Sequence, residues 1–335
     1  MATQERPRKA GLWMKLALMI IPMGIVVAGL EGAARLYVWK KYGSQDHGMN
    51  WKFSYEPYIL TRTDDRFYKE VPPKSDAFRV LVIGGSTASL IPSADLEKAL
   101  EPVIGNKVEV INLAQGAYIM NQERITFLIH GVQVEPDLLI TLNGANDLVT
   151  ASKTLRPGIA YANDFVQLGV ERPVLNGMLG VIRDSQFINC VNKLRERRVE
   201  GKAHGDEALM VKTIDHCEEA LRSMAVMAKG LEIPHYMFLQ PYIHLRTNLK
   251  DDEKALAVTS AHRGEYTAKG FRNLLERFHG ASFPNNAHFV DATTAFDSIP
   301  DPCFIDEVHL NEKGNEALIA FMAKTIADQG ATLQN

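Results

Sequence analysis

Residues 78–89 of the chain read FRVLVIGGSTAS, and this stretch decides the fold. Its apolar part, 80–83, is short, continuous and rich in β-branched side chains, which is typical of a buried strand in a parallel sheet. Gly84 and Gly85 allow a tight turn, so Ser86 follows at the carboxyl end of the strand, where open α/β sheets bind their ligands. Serine is also a preferred helix N-cap, so this stretch alone leaves Ser86 either a capping residue or a functional hydroxyl.

Strands and helices alternate along the rest of the chain. Hydrophobic periodicity predicts further strands at 108–111, 138–142, 236–239 and 288–290, and helices at 121–133, 206–229, about 251–279 (broken) and 312–327. The side chains expected to face the core are Ile125, Leu128, Ile129 and Val132 in the first of these helices, and Leu318, Phe321 and Met322 in the last. This alternation predicts a three-layer α/β domain with a mainly parallel sheet of five strands.

The composition is that of a globular protein, with 46% hydrophobic and 23% charged residues among 335. A formal net charge of -3 offers no basic excess for nucleic acid, so no nucleic-acid partner is expected. The three cysteines, Cys190, Cys217 and Cys303, lie far apart and share no zinc-type spacing. We therefore expect no metal and no other cofactor.

The amino-terminal 40 residues differ from the rest of the chain. An uncharged apolar run covers 16–30, and the basic residues before it are Arg6, Arg8, Lys9 and Lys15. A spanning helix needs about 20 mainly apolar residues, a length reached here only if Lys15 extends toward the headgroups. The basic flank predicts a cytoplasmic amino terminus, with Trp13, Tyr37 and Trp39 as interfacial anchors.

A cleaved signal peptide is the alternative for this segment, because the small residues Ala28, Gly29, Ala33 and Ala34 offer a processing site. We predict an uncleaved transmembrane anchor at 1–40. Either interpretation places the rest of the chain outside the cytoplasm, and the anchor predicts a single-pass protein of the bacterial inner membrane that faces the periplasm.

Two connecting regions complete the domain organisation. Residues 41–76 are polar and end near Pro72 and Pro73, which predicts a tether before the domain at 77–335. Within that domain, about 148–205 lacks a clean pattern and is expected to be an insertion that shapes specificity. Its basic residues, Lys193, Arg195, Arg197 and Arg198, form either a site for an anionic glycan or lipid headgroup or a solvated helix face.

Polar turns follow each of the first three predicted strands, at 84–86, 112–117 and 143–147, and should meet at one rim of the sheet. Near the carboxyl terminus, Asp306 precedes His309 by three residues. An aspartate in such a turn can accept a hydrogen bond from histidine Nδ1, which leaves Nε2 free to take a proton from a serine. Donors for an oxyanion could come from the backbone amides of Ser86 and Gly116 and from the side-chain amide of Asn146.

With these residues the sequence resembles the SGNH or GDSL-like hydrolases, a family named for four residues in four separate blocks. The four matches are Ser86 in GGSTAS, Gly116 in INLAQGAY, Asn146 in GAND and His309 in DEVHLNEKG, in the family's order and over about 78–330. The resemblance implies a flavodoxin-like three-layer α/β/α sandwich, the SGNH hydrolase fold. It also implies metal-free cleavage or transfer of ester-linked acyl groups by Ser86, His309 and Asp306, with Ser86, Gly116 and Asn146 as the oxyanion hole.

The sequence departs from the family pattern in two blocks. Gly85 stands where the GDSL form has aspartate, and the glycine of the second block aligns with either Gly116 or Ala117.

Asn146 has the alternative role of a turn residue with Asp147 forming an Asx-turn. Asp306 and His309 have the alternatives of a charge at a helix N-terminus and a surface residue. No other histidine has a possible catalytic partner at a sequence spacing that indicates a site; these histidines include His130, His235, His244, His279 and His288.

Together these observations predict a membrane-anchored serine esterase. The expected substrate is an O-acyl ester, in particular an O-acetyl group on an envelope or exported polysaccharide, and polysaccharide-biosynthesis proteins are possible partners. An O-acetyltransferase with the same triad is the alternative within enzymes. The alternative from another class is a non-catalytic scaffold at the membrane that holds a polysaccharide or an assembly partner.

Overall fold

A computed structural model describes residues 12–42, 54–66, 71–160, 185, 187–188, 190–191, 207–259 and 261–329. The chain divides into two compact units, one made of Met1–Asn50 and Leu168–Val199, the other of Trp51–Gln167 and Glu200–Asn335. The basic cluster predicted at 193–198 and most of the predicted insertion lie outside the described residues.

The first unit is dominated by helix α1 (Leu12–Tyr42), which is 31 residues long. Its segment Leu18–Tyr37 has a mean hydropathy of 1.5 over 20 residues, so by length and composition it could cross a membrane or serve as a signal sequence. Apolar side chains along this helix are exposed. The carboxylate of Glu31 accepts hydrogen bonds from Arg35 Nε (2.8 Å) and from Ser185 Oγ (2.7 Å) within the same unit.

The second unit is built on a five-stranded parallel sheet, preceded by a small antiparallel hairpin. The hairpin pairs β1 (Ser54–Glu56) with β2 (Leu60–Arg62), and the sheet contains β3 (Phe78–Gly84), β4 (Val108–Asn112), β5 (Leu138–Asn143), β6 (His235–Leu239) and β7 (Ala287–Asp291). The strand order is β4-β3-β5-β6-β7, and every neighbouring pair is parallel. This is the flavodoxin-like order, in which the chain reverses direction across the sheet at β3.

Helices cover both faces of the sheet. They are α2 (Ser86–Ser89), α3 (Ser93–Ile104), α4 (Met120–Thr126), α5 (Ala145–Thr154), α6 (Glu207–Gly230), α7 (Asp251–Thr259), α8 (Ala261–Gly280) and α9 (Glu312–Gln329). Val80 and Val82 of β3 pack with α3 and α9, whereas Leu81 and Ile83 pack with α4, α5, α6 and α8. Because successive side chains of a strand point to opposite faces, β3 serves two cores, and the predicted three-layer α/β/α fold is confirmed.

The structure differs from the predicted elements in the region 120–134. Helix α4 continues there as a π turn (Phe127–Gly131) and a 3₁₀ turn (Val132–Val134). Phe127 is fully buried and Leu128 is 58% exposed, so the prediction that Leu128 faces the core is wrong. A π turn holds more residues than an α turn, which rotates the following side chains away from a 3.6-residue period.

The parallel register brings the carboxyl ends of β3 and β5 together, with Gly84 opposite Leu142. Ser86 therefore follows β3 at the same rim at which Asn143 ends β5 and Asn146 follows it. In doubly wound sheets this rim, at the point where the strand order reverses, is where ligands bind. The fold thus places the polar turns predicted from sequence at one edge.

Candidate active site

Ser86 is the first residue of α2, and Gly85 occupies the N-cap position without a side-chain cap hydrogen bond. The interpretation of Ser86 as a capping residue is therefore wrong. The Ser86 side chain instead contacts the imidazole of His309, with Oγ 2.7 Å from Nε2. Ser86 and His309 are both largely buried.

His309 is hydrogen-bonded to Asp306 as well as to Ser86, since its Nδ1 lies 2.7 Å from Asp306 Oδ2. The other carboxylate oxygen, Oδ1, accepts the backbone N–H groups of Val308 (2.9 Å) and His309 (2.8 Å). Burial raises the pKa of Asp306, but the hydrogen bonds and charge of His309 and these two amides outweigh it and hold the pKa below its usual value. An ionised Asp306 thus orients an imidazole whose Nε2 faces a serine hydroxyl.

The start of α9 is capped by another residue. Asn311, which precedes the helix, accepts the N–H of Gly314 on its Oδ1 at 2.9 Å. Because Asn311 fills the capping role, Asp306 is left to hold His309, and the interpretation of Asp306 as a helix-terminal charge is not needed.

The loop that carries Asp306 and His309 is hydrogen-bonded to neighbouring turns through residues that were not predicted from the sequence. Thr87, next to Ser86, donates its hydroxyl to the carbonyl oxygen of Val308 (3.2 Å) and accepts the side-chain amide of Gln240 (3.2 Å). The N–H of Ile243 donates to the carbonyl oxygen of Glu307 at 3.1 Å. These bonds keep the histidine loop against the turn that carries the serine.

Asn146, in the first turn of α5, lies directly beside the turn that carries Ser86. Its Nδ2 donates to the carbonyl oxygen of Tyr118 at 2.8 Å. A Cβ atom added to Gly85 would lie only 2.4 Å from this nitrogen, so the absence of a side chain at position 85 makes room for the Asn146 amide. An amide nitrogen carries two hydrogens, and one remains for a ligand after the bond to Tyr118.

The turn after β4 carries Gly116 and Ala117, the two candidates for the second backbone donor of the predicted oxyanion hole. The N–H of Gly116 donates to Thr63 Oγ1 at 3.0 Å, so this predicted donor already has an acceptor. Ala117 has a left-handed backbone conformation, with φ 60°. Glycine adopts this conformation more readily than a residue with a side chain. The Ala117 N–H has no acceptor among the described residues. The role of Gly116 in an oxyanion hole remains a prediction, with Ala117 as the alternative amide.

A buried acidic cluster lies behind these turns. Asn143 donates to Glu123 Oε2 at 2.7 Å, and Asp147 accepts the N–H of Met120 with both carboxylate oxygens at 3.2 Å. Burial raises the pKa of Asp147 to about 7, and burial together with the charge of Asp147 raises the pKa of Glu123 well above its usual value. The carboxyl of Asp147 thus ties the start of α4 to the start of α5, next to Asn146.

A cavity of about 200 Å³ opens beside the imidazole. It is lined by Ala145, Asn146, Val149, Asp306, Glu307, Val308 and His309. Among the described residues, no group of three or more histidine, cysteine, aspartate or glutamate side chains could hold a metal ion. The polar side chains that line the cavity are those of Asn146, Asp306, Glu307 and His309.

Comparison with known proteins finds similarity at the level of structure. The sequence matches no protein-family model and no curated protein. The chain is similar to the crystal structure of an acetyl xylan esterase, with 12% identity over 76% of this chain and 98% of that chain and a TM-score of 0.41.

Two further solved structures are similar to the chain. A catalytic mutant of an acetylxylan esterase from Geobacillus stearothermophilus has 15% identity over 73% of this chain and 92% of that chain, with a TM-score of 0.40. A lipase from a goat rumen metagenome has 11% identity over 75% and 97%, with a TM-score of 0.45.

Proposed function

We propose that the chain is a serine esterase of the SGNH type that hydrolyses O-acyl esters. The observation that carries this proposal is the continuous hydrogen-bonded series from Ser86 Oγ through His309 to Asp306, with both distances at 2.7 Å. A serine hydroxyl is a weak nucleophile by itself, and a neutral imidazole held by a carboxylate is the base that activates it.

In the first half of the reaction, Ser86 Oγ forms a bond to the ester carbonyl carbon while its proton moves to His309 Nε2. The resulting oxyanion accepts hydrogen bonds from the Ser86 amide, from Asn146 Nδ2 and from the turn at Gly116 and Ala117. The bond between the carbonyl carbon and the alcohol oxygen then breaks, and His309 returns the proton to that oxygen. Throughout, the Asp306 carboxylate stabilises the imidazolium.

In the second half, a water molecule attacks the acyl carbon of the acyl-enzyme. His309 takes a proton from the water, a second tetrahedral intermediate collapses, and the proton returns to Ser86 Oγ as the acid leaves. With a sugar hydroxyl in place of water, the same steps would transfer the acyl group, which is the O-acetyltransferase alternative.

We propose an O-acetyl group on a polysaccharide as the substrate. The cavity beside His309 and Asn146, about 200 Å³, has room for a small acyl group. The helix α1 has the length and composition of a span or a signal sequence, and basic residues precede it. We therefore propose a single-pass inner-membrane protein whose catalytic unit faces the periplasm, where envelope and exported polysaccharides are found.

Hydrolysis of p-nitrophenyl esters tests the reaction. The full chain in detergent is expected to hydrolyse the acetate, with turnover that falls as the acyl chain lengthens, and Ser86→Ala is expected to lower kcat by about 10⁴-fold or more. Equal turnover by the folded Ser86→Ala variant would exclude the mechanism. Product analysis with an added glycan acceptor then distinguishes hydrolysis from acyl transfer.

A further inference from the structure

Gln115, at the turn after β4, is a fully buried polar side chain whose partners lie outside the sheet. Its Oε1 accepts three hydrogen bonds, from the N–H of Thr63 (2.7 Å), from Thr63 Oγ1 (2.8 Å) and from the N–H of Asp64 (3.2 Å). Its Nε2 donates to Asp64 Oδ1 at 3.0 Å. The glutamine is thus hydrogen-bonded to the two residues that follow β2, in the stretch predicted from sequence to be a tether.

The Thr63 hydroxyl is used twice in this arrangement. It donates to Gln115 Oε1 and accepts the N–H of Gly116 at 3.0 Å. Tyr118 adds a further hydrogen bond between the two segments, since its hydroxyl donates to the carbonyl oxygen of Thr61 at 2.6 Å. The turn 115–118 is therefore hydrogen-bonded at both ends to residues 61–64.

The residue between these contacts, Ala117, has the left-handed conformation, with φ 60°. For a residue with a side chain this conformation is unfavourable, and it persists only when the surrounding contacts impose it. The bonds at Gly116 and Tyr118, on either side, are such contacts. They set the direction of the Ala117 N–H, which has no acceptor among the residues that the structure describes.

We propose that Thr63 is a positioning residue of the active site, whose hydroxyl fixes the turn 115–118 so that the Ala117 amide is directed at the oxyanion. This proposal rests on the proposed esterase reaction. Thr63 acts through Gly116 and Gln115 and touches no reacting atom. The segment before the sheet is then part of the catalytic architecture, in addition to linking it to the amino-terminal helix in sequence.

The test compares three variants of the full chain in p-nitrophenyl acetate hydrolysis. Thr63→Val removes the hydroxyl while keeping the shape, and Thr63→Ser keeps the hydroxyl. Thr213→Val is the matched control, because Thr213 is a buried threonine and its hydroxyl donates to the carbonyl oxygen of Leu209 at 2.8 Å within α6. Thermal unfolding of each variant accompanies the kinetics.

We expect Thr63→Val to lower kcat about 10-fold with little change in KM, because the lost interaction acts in the transition state. Thr63→Ser should recover most of kcat, and Thr213→Val should be close to the unmodified chain. An unchanged or increased kcat in Thr63→Val, a loss that serine does not recover, or an equal loss in Thr213→Val would overturn the positioning role. Absence of Ser86-dependent turnover in the unmodified chain would instead reject the esterase proposal itself.

Discussion

At position 85 a side chain would compete for space with the amide of Asn146. The atom that an added Cβ would meet, Asn146 Nδ2 at 2.4 Å, is the end of a flexible side chain, so Gly85→Ala should displace the amide at little cost in stability. Displacing one oxyanion donor weakens transition-state binding. We expect kcat for p-nitrophenyl acetate to fall roughly 10- to 100-fold, with KM nearly unchanged.

The matched control is Gly280→Ala, because an added Cβ at that position meets nothing within 4 Å. This variant should retain the kinetics of the unmodified chain. If Gly85→Ala also retains its kcat while the protein is folded, Asn146 does not act as an oxyanion donor.

The residues that could be predicted from sequence are those whose geometry is local. Asp306 and His309 are three residues apart in one turn, so their hydrogen bond could be predicted from their spacing. The position of Ser86 at the end of a strand could be predicted from the two glycines before it. Thr63 and Gln240 were not found, because their contacts join residues more than 50 positions apart: Thr63 with Gln115, and Gln240 with Thr87.

Among the strands, β6 carries a buried histidine with consequences for stability. Burial, with a smaller contribution from the charge of His288, lowers the pKa of His235 to about 3 from an ordinary value of 6.5. Between these pH values the unfolded chain binds a proton that the folded chain does not. The free energy of unfolding therefore decreases as the pH falls from 6.5, by up to about 1.4 kcal/mol per pH unit from this group.

Replacement by an uncharged residue should remove this pH dependence. In urea unfolding, the unmodified chain is expected to lose about 2 kcal/mol more than His235→Gln between pH 6.5 and pH 5. The comparison uses the change with pH, so any loss in the variant at neutral pH does not affect it. Equal losses in the two proteins would show that His235 is protonated in the folded state.

Element prediction succeeded where the hydrophobic pattern was local and strong. Each predicted strand lies within the observed one to within two residues at either end, because a continuous apolar run marks a buried parallel strand. Helices α3 and α5 and the β1–β2 hairpin were not predicted, and the first residues of the expected insertion at 148–205 belong to α5. Helix α3 contains Pro102 and buries Leu96 and Leu100, a signal too short to separate from the loops around it, and the hairpin strands have three residues each.

For the whole molecule, the character of α1 decides where in the cell the protein is located. If Leu18–Tyr37 is an uncleaved anchor, the full chain should sediment with membranes and resist alkaline carbonate extraction, and its intact mass should include residue 1. A chain that lacks residues 1–42 should be found in the soluble fraction. Soluble full-length protein, or a mass that lacks the amino-terminal segment, would instead indicate a cleaved signal peptide.

The proposed reaction requires that His309 and Asp306 activate Ser86 as a nucleophile. Reaction with a fluorophosphonate probe tests this most directly, because the probe phosphonylates an activated serine whether the acyl acceptor is water or a sugar. Peptide mass spectrometry is expected to find one equivalent of probe on Ser86 in the unmodified chain, and none in Ser86→Ala. His309→Ala should label far more slowly. Folded, unmodified protein that remains unlabelled, or labels at another serine, would contradict the account and favour a non-catalytic role at the membrane.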